Sequence, residues 1–439
     1  MRKAVTVDGN EATSYVSYFF TEIAGIYPIT PSSTMAENID RWSKENRLNV
    51  FNDKTKVIEM QSEAGAAGLV HGTLTEGLLT STYTASQGLL LMIPNMYKIA
   101  GEMLPLTMHV AARSLSTHAL SILGDHQDIY AARSTGFAML ASSSVQDCAV
   151  MAAVAHLSAI KSSIPFMHFF DGFRTSHEIQ KIKVLEKEDY EKLIDKKALA
   201  KFRKRALNPL RPTMRGLAEN DDIYFQMAEA HNPYYENIDD IVNRYMKKLN
   251  TKMRTDYRPF NYYGHRAAKK VIVAMGSVCE TIKETIDKLA EKGEKLGLLE
   301  VHLYRPFSTK YFLKELPSTV QKIAVLDRTK DITAPGEPLY LDVVSAVSNK
   351  KIKVVGGRYG LSSKNTTPAQ IKAVFDMLDK PKHNFTIGIN DDVTNLSLKE
   401  SKNFKIGGTE DFLFYGYGSD GMVGVSKLIM KLIGNNTKN

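Results

Sequence analysis

Between residues 10 and 175 the sequence alternates between short apolar runs and longer stretches whose apolar residues recur at helical spacing. Val57-Ile58-Glu59, Leu78 to Tyr83, Leu106 to Ala112, Phe137 to Ser142 and Ile164 to Phe170 read as strands. Glu11 to Ala24, Glu63 to His71, Gln87 to Ala100 with Pro94 inside it, and Asp147 to Lys161 read as helices. Alternation of this kind predicts an α/β domain with a mostly parallel sheet. In such a domain the ligand site lies at the C-terminal ends of the strands.

The rhythm breaks after residue 175. Residues 175–265 are charged, contain Asn208-Pro209, Arg211-Pro212 and Asn232-Pro233, and read as an extended excursion followed by a helix through Ile238 to Leu249. This arm is expected to pack on the first domain or on a partner. A second α/β unit starts at Lys270-Val271-Ile272-Val273-Ala274-Met275-Gly276-Ser277, with Gly276-Ser277 as a tight strand-to-helix turn. Further strands are expected at Lys295 to Tyr304, Lys322 to Asp327 and Lys351 to Gly356. Near the end, Asp411-Phe412-Leu413-Phe414-Tyr415 reads as a strand running into the Gly-rich turn Gly416 to Gly421, with a helix from Val423 to Leu432. The expected organisation is therefore a first α/β domain over 1–260, carrying the arm at about 175–260, and a second over 261–385. A linker over 386–410 and the incomplete start of a third α/β domain over 411–439 would follow. At 439 residues the chain has the length for two or three domains, since single cores rarely exceed about 250 to 300 residues. The unfinished third unit gives it the look of a truncated or split protein.

Composition excludes several classes. No run of 18 apolar residues exists, and Met1-Arg2-Lys3 leads into the strand-like Ala4 to Val7 without an apolar core segment. The expectation is a cytoplasmic protein, neither secreted nor membrane-spanning. Cys148 and Cys279 lie far apart in apolar segments, so there is no disulfide framework and no Cys-x-x-Cys motif. Any redox cluster belongs to another chain or another part. The net charge of +9 is concentrated between Lys181 and Arg215. That patch has little aromatic interleaving, so it reads as a solvated face rather than a nucleic-acid surface.

Four stretches carry candidate chemistry. In Tyr27-Pro28-Ile29-Thr30-Pro31-Ser32-Ser33 two prolines fix φ and remove donors, predicting a stiff, extended loop that holds Thr30 out. Ser32, Ser33 and Thr34 offer N-caps to the following helix, whose free N–H groups favour an anion; an ordinary strand-to-helix connection is the other reading. Glu63 opens a helix whose Ala64, Gly65, Ala66, Ala67 and Gly68 leave a bare wall. It either complements the helix dipole or serves a thiamine cofactor, sharing a proton with the pyrimidine ring. Arg113 follows the strand ending at Ala112, which fits bidentate binding of a small carboxylate as well as plain surface pairing. Gly124-Asp125-His126-Gln127-Asp128 reads as polar groups satisfying backbone near a site, and no metal is assigned to it.

Taken together, the strings YPITPSS from Tyr27, SEAGAAGLVHG from Ser62, TASQGLLLMIPNMYKIAGE from Thr84, ARSLSTHALSILGDHQD from Ala112, FDGFRTSHE from Phe170, LYRPFS from Leu303, DRTK from Asp327, GEPLYLDV from Gly336 and GGRYGLSSK from Gly356 resemble the N-terminal part of the pyruvate:ferredoxin (flavodoxin) oxidoreductase family. They span nearly the whole chain. The resemblance implies a pyrimidine-binding first domain of thiamine-enzyme type and a transketolase-C-terminal-like second one. It implies a thiamine diphosphate enzyme that converts pyruvate to acetyl-CoA and CO2, passes electrons through iron–sulfur clusters to ferredoxin or flavodoxin, and works as a homo-oligomer.

Carried over residue by residue, the family's substrate threonine falls on Thr30, its pyrimidine-activating glutamate on Glu63 and its carboxylate-binding arginine on Arg113. Gly418-Ser419-Asp420-Gly421 matches the Gly-rich loop that contacts coenzyme A, with Met422 where a threonine is usual. The cluster cysteines and the Gly-Asp-Gly segment that holds Mg2+ and the diphosphate have no counterpart here. The resemblance therefore implies the pyrimidine-side half of a shared site, inactive without its other half. The same chemistry on another 2-oxo acid such as 2-oxoglutarate, or a non-catalytic interaction domain that kept the fold, are the rival readings.

Overall fold

In the first half of the chain the apolar runs form strands whose helical connections return each one parallel to the last. The computed structural model describes residues 3–400, 404–407 and 412–437. Its first eight strands are β1 (Lys3–Asp8), β2 (Ile23–Ile26), β3 (Lys56–Glu59), β4 (Thr80–Thr84), β5 (Thr107–Ala112), β6 (Ala138–Ser142), β7 (Phe166–Asp171) and β8 (Ile179–Val184). The second half adds β9 (Phe260–Gly264), β10 (Lys270–Ala274), β11 (Leu296–Val301), β12 (Leu303–Arg305), β13 (Lys322–Asp327), β14 (Lys353–Arg358) and β15 (Phe385–Thr386).

The strands make a seven-stranded sheet of order β12-β6-β7-β5-β4-β2-β3, a six-stranded sheet of order β15-β14-β13-β10-β11-β9, and a two-stranded antiparallel pair of β1 with β8. Both larger sheets are parallel except at one edge, where β12 and β9 run antiparallel to their neighbours. The expected α/β class with mostly parallel sheets is what the chain adopts. In the first sheet the chain passes from β2 outward to β3 and then back across to β4, so the strand order reverses between β2 and β4. The second reverses between β10 and β13. A crevice opens at such reversals, outside the strand C-termini. One buried apolar cluster runs from Val7 in the first unit to Val347 in the second, so the two sheets share a core.

Several local expectations differ from the structure. Glu11 to Ala24 is not one helix: the helix is Gly9–Phe20, capped by the Asp8 carboxylate on Glu11 N, and β2 begins at Ile23. Helical periodicity ran on through Ala24 because β2 is buried and apolar too. Residues 175–265 are not extended. They add β8 to the β1 edge and form helices at Lys187–Glu191, Lys196–Lys204, Asp221–Glu229, Asn232–Tyr235 and Ile238–Met253. The stretch from Lys295 to Tyr304 is two strands in different sheets, divided at His302, whose N–H donates to Pro259 O at 3.0 Å. No strand forms between Phe412 and Tyr417; the helix Met422–Asn436 lies on β1 and β8, with Lys431 bonded to Glu11 at 2.8 Å. The aromatic run there has no neighbouring ladder to join. Asp411 lies outside the described residues. Among the described residues no helix is long and apolar enough to cross a membrane.

The centre of the first sheet is unusually polar. His109 Nδ1 lies 3.0 Å from His168 Nδ1, His109 Nε2 lies 3.2 Å from His156 Nε2, and the chain continues to Ser142, Ser17 and Tyr83, all buried. Burial pushes the His109 pKa down to about 3 and those of His156 and His168 well below the usual value, the neighbouring imidazoles adding to the effect on the last two. Each histidine thus folds neutral, whereas the unfolded chain takes up a proton below pH about 6.5. Stability is full above that pH and falls as the pH drops from there towards 3. His109→Gln should therefore flatten the acid side of the stability profile, by up to about 1.4 kcal/mol per pH unit, the slope of one proton. Urea midpoints at pH 7, 6 and 5 measure it; an unchanged slope would mean that His109 titrates normally.

Candidate active site

Four connections leave the C-terminal edge of the first sheet around its strand-order reversal, and they carry the sequence's three chief candidates. After β2 the backbone turns back on itself: Ser32 N and Ser33 N both donate to the Ile29 carbonyl, at 2.8 and 3.1 Å. This is a tight turn rather than an extended loop. The Ser32 hydroxyl also donates to the Ile29 carbonyl at 2.8 Å. It is consumed there, so the helix Ser33–Lys44 begins without the expected side-chain cap. Asn10 Nδ2 anchors the turn through the Pro31 carbonyl at 2.8 Å, and Thr30 is left exposed.

Arg113 is the first residue beyond β5. Its Nη1 donates to the Thr30 carbonyl at 3.0 Å and its Nε to the Ser121 carbonyl at 3.5 Å. The structure thus brings Thr30 and Arg113 together, through the threonine's backbone. Arg113 N–H donates to Asp128 Oδ2 at 3.0 Å, and the same oxygen accepts Ser86 N–H at 2.8 Å. Ser86 starts the helix after β4 with a φ of 54°, a left-handed conformation, so Asp128 ties the ends of β4 and β5 to each other. Burial pushes the Asp128 pKa up to about 7, against the pull of the backbone N–H groups it accepts from. His126 bonds Asp171 and Asp125 accepts from Gln127 N–H. The polar string 124–128 therefore does what its loop character implied, and Asp128 is a site residue that sequence reasoning did not single out.

Glu63 is buried at the start of the helix Glu63–Thr75, behind a Ser62 cap that accepts Gly65 N–H at 3.1 Å. No hydrogen bond or ion pair engages its carboxylate among the described residues. The bare wall expected beside it is only partly the crucial one. A Cβ at Gly65 or Gly68 would meet nothing closer than 3.5 Å. The glycines that matter are on other elements. A Cβ on Gly25 of β2 would sit 2.8 Å from Val70, so its absence lets the Glu63 helix approach the sheet. A Cβ on Gly88 would sit 2.6 Å from Glu63 Oε1 and 2.9 Å from Thr84 Oγ1, and Thr84 Oγ1 is itself buried without a partner. Two unpartnered oxygens thus flank Gly88. The Thr84 hydroxyl is fully buried and so calls for a partner supplied by a ligand, while the Glu63 carboxylate is free to accept from one. A planar heterocycle with an exchangeable proton, such as the pyrimidine of thiamine, fits this pair.

The loop Gly418-Ser419-Asp420-Gly421 is exposed and closed on itself, Asp420 accepting Tyr417 N–H at 2.6 Å and Met422 N–H at 3.0 Å. Among the described residues no hydrogen bond joins it to Thr30, Glu63 or Arg113.

The C-terminal edge of the second sheet meets that of the first at Asp171, the last residue of β7. Its carboxylate is 2.6 Å from Arg328 Nη1 and 2.5 Å from His126 Nε2, and accepts Ser277 N–H at 2.8 Å and the Ser277 hydroxyl. Burial opposes ionisation there, but Arg328 and His126 outweigh it and hold the carboxyl well below the usual range. A cleft of about 330 Å3 opens beside this cluster, lined by Arg174, Ser277, Glu280, Arg328, Tyr359 and Lys364 among others. Asp147, Glu300 and His302 offer ligand atoms within 4.8 Å of one another. Lys283 at 2.9 Å from Glu300 and Tyr257 at 2.7 Å from Asp147 already compensate that group, and no metal is assigned to it.

Two mostly parallel sheets whose crevice edges meet, with an unpaired carboxylate at a glycine-lined crevice, define a two-unit α/β architecture that solved structures share. A 2-oxoglutarate:ferredoxin oxidoreductase from Magnetococcus marinus superposes with a TM-score of 0.61 at 16% identity, over 86% of this chain and 65% of that one. A split-gene transketolase gives 0.50 at 10% identity over 86% and 99%. At these identities the likeness is one of fold. Sequence models go further: residues 16–247 match the pyruvate flavodoxin/ferredoxin oxidoreductase, thiamine diphosphate-binding family, and residues 268–371 match core domain II of pyruvate:ferredoxin oxidoreductase. The chain belongs to the pyruvate flavodoxin/ferredoxin oxidoreductase family. It is 58% identical over 438 residues to a pyruvate:ferredoxin oxidoreductase of Moorella thermoacetica, covering 98% of this chain and 37% of that one. It is 55% identical over 442 residues to a pyruvate-flavodoxin oxidoreductase of Enterobacter agglomerans, covering 99% and 38%. The chain therefore spans well under half the length of these relatives.

Asp128→Ala should strand the N–H groups of Ser86 and Arg113 and lower stability by about 2 to 4 kcal/mol, since a buried donor without a partner loses about 1 to 3 kcal/mol. Asp128→Asn keeps an oxygen for both and should lose less than half as much. Urea denaturation of the two variants gives the comparison; equal losses would show that the shared oxygen is not what matters.

Proposed function

We propose that the chain is the substrate-side portion of a pyruvate:ferredoxin oxidoreductase, which oxidatively decarboxylates pyruvate to acetyl-CoA and CO2 and passes the electrons to ferredoxin or flavodoxin. The observation that carries this reading is the partnerless Glu63 carboxylate facing Gly88 beside the partnerless Thr84 hydroxyl. The names of the relatives and the Thr30–Arg113 pairing support it. Thiamine diphosphate, when bound, supplies the electron sink for decarboxylating a 2-oxo acid. Glu63 holds and exchanges a proton with the pyrimidine ring. Arg113 uses two of its donors on the Thr30 and Ser121 carbonyls, leaving the rest of a five-donor fork for the substrate carboxylate. The Thr30 hydroxyl supplies a further bond beside it.

Mg2+ and the diphosphate are held by the remaining domains or by a partner subunit, which also carry the iron–sulfur clusters. The chain alone is accordingly inactive and binds thiamine diphosphate weakly. The Gly418–Gly421 loop, with Met422 beyond it, contacts coenzyme A once those parts are in place; a methionine there loses the hydroxyl a threonine would offer. In this reading residues 1–260 form the pyrimidine-side domain with its arm, 261–385 the transketolase-C-terminal-like domain, 386–410 a linker, and 411–439 the start of a third domain in a homo-oligomeric cytoplasmic enzyme. Pyruvate is favoured over 2-oxoglutarate because a diacid needs a second cation, and Arg113 is the one basic side chain bonded to the Thr30 turn among the described residues.

In the reconstituted enzyme Glu63→Gln removes the titrating oxygen and should lower kcat by about two orders of magnitude or more, the usual scale of general acid–base help. Pre-steady-state decarboxylation measures it. A rate within twofold of the parent would leave Glu63 a helix-start residue and revive the non-catalytic interaction domain as the better reading.

Arg113→Lys keeps the charge but loses the planar fork, and should lower kcat/KM for pyruvate by about 1.5 to 3 kcal/mol. Thr30→Val loses one neutral hydroxyl, worth about 0.5 to 1.5 kcal/mol. Steady-state kinetics with pyruvate and 2-oxoglutarate ranks both variants. A raised KM for coenzyme A with pyruvate unaffected would move Arg113 to the thioester side.

A further inference from the structure

The segment Gly356-Gly357-Arg358-Tyr359-Gly360-Leu361-Ser362-Ser363-Lys364 belongs to the second α/β unit, yet its tightest contacts are with the loop that carries Arg113. Ser362 and Ser363 both sit in the left-handed region, at φ 51° and 54°. Two consecutive L side chains there are disfavoured, and such conformations persist where the surroundings hold them. Here the surroundings are the Arg113 loop. Ser363 N–H donates to the Gly124 carbonyl at 2.7 Å, and Gly124 N–H returns a bond to Ser363 Oγ at 2.9 Å. Ser362 N–H donates to Asp125 Oδ2 at 3.2 Å, the oxygen that also takes the Ser114 hydroxyl at 2.6 Å. The Ser362 hydroxyl meets that of Ser121 at 2.5 Å, and Arg174 Nη2 locks the Ser363 carbonyl at 2.8 Å. Ser121 is the residue whose carbonyl receives Arg113 Nε.

We propose that Ser362 and Ser363 are positioning residues for substrate binding: the second unit clamps the 114–125 loop through them and so sets the orientation of the Arg113 guanidinium over the Thr30 turn. This rests on the assignment of Arg113 to the substrate carboxylate. The clamp touches neither Arg113 nor Thr30 directly. It grips the loop at Ser121, which braces the arginine, and at Gly124 and Asp125, whose carboxylate in turn holds Ser114 beside the arginine. The left-handed backbone is what lets two successive N–H groups and both hydroxyls face the same loop.

Ser362→Gly and Ser363→Gly are suited to the test, because glycine takes the left-handed conformation freely and keeps both backbone N–H bonds. Only the hydroxyls go. In the reconstituted enzyme each variant should raise KM for pyruvate about three- to tenfold, the scale of one neutral hydrogen bond, with kcat within about twofold. The melting temperature should stay level or rise. In the purified chain, amide exchange over residues 114–125 should quicken. Ser362→Asn, which tolerates a left-handed φ and keeps a polar side chain towards Ser121, should restore most of the KM. A lowered melting temperature with KM and exchange unchanged would overturn the proposal and leave the serines as part of the domain packing. Faster exchange with unchanged KM would also overturn it, since the loop would then move without consequence for pyruvate. Arg113→Lys run in parallel separates the two layers: an inert Arg113→Lys rejects the carboxylate assignment itself, whereas an impaired Arg113→Lys beside inert serine variants rejects only the clamp.

Discussion

The structure hangs on the Asp171 carboxylate. It closes β7, accepts the Ser277 N–H and hydroxyl beyond β10, and pairs with Arg328 just past β13, so that the crevice edges of both sheets converge on one buried charge. An ion pair withdrawn from water is a poor source of net stability, but removing one member strands the other at a loss of about 3 to 5 kcal/mol. What it contributes is registry. With Arg328, His126 and Ser277 aimed at the same two oxygens, the second unit has one docking pose on the first, and the loops between them inherit that pose.

The site built on this frame combines rigid backbone with uncommitted side chains. Asp128 fixes the ends of β4 and β5, and Asn10 and Arg113 fix the turn after β2, through main-chain atoms throughout. Glu63 and Thr84 are the exceptions: the Thr84 hydroxyl is buried without a partner, the unpaired Glu63 carboxylate lies at the crevice, and both border the missing Cβ of Gly88. Groups left in that state destabilise the free chain, which is the expected signature of a surface preorganised for something that arrives later.

Much of this was legible in the sequence and some was not, for identifiable reasons. The strand–helix alternation gave away the sheets because crossover geometry has few solutions. Thr30, Glu63 and Arg113 drew notice from a proline-flanked loop, a helix start and a strand end, but local pattern left an ordinary reading open for each, and their proposed roles come from the family resemblance. Gly88 was not marked: the reason for its bareness is a glutamate 25 positions earlier, and no local period encodes a contact between two helices. The same holds for Asp128, whose partners at Ser86 and Arg113 lie on other segments. The turn at Ile29 escaped because two prolines were read as enforcing extension, when the bonds from Ser32 and Ser33 fold the chain back between them. The arm over 175–265 looked irregular because its short helices draw their order from packing rather than from long amphipathic repeats.

The three residues of β12 have a consequence of a different kind. They lie beyond the second unit's β10 and β11 in the chain, yet pair with β6 at the outer edge of the first sheet, Leu303 opposite Leu140 and Arg305 opposite Met139. A gene cut at the apparent boundary near residue 260 would release a first unit whose β6 is naked along its length, an invitation to pair with a neighbour's edge and precipitate. The two units are separate by pattern and inseparable by topology. Recombination could shuffle this module among multidomain enzymes only as a single cassette running past residue 305, and any search for its minimal autonomous form should begin there.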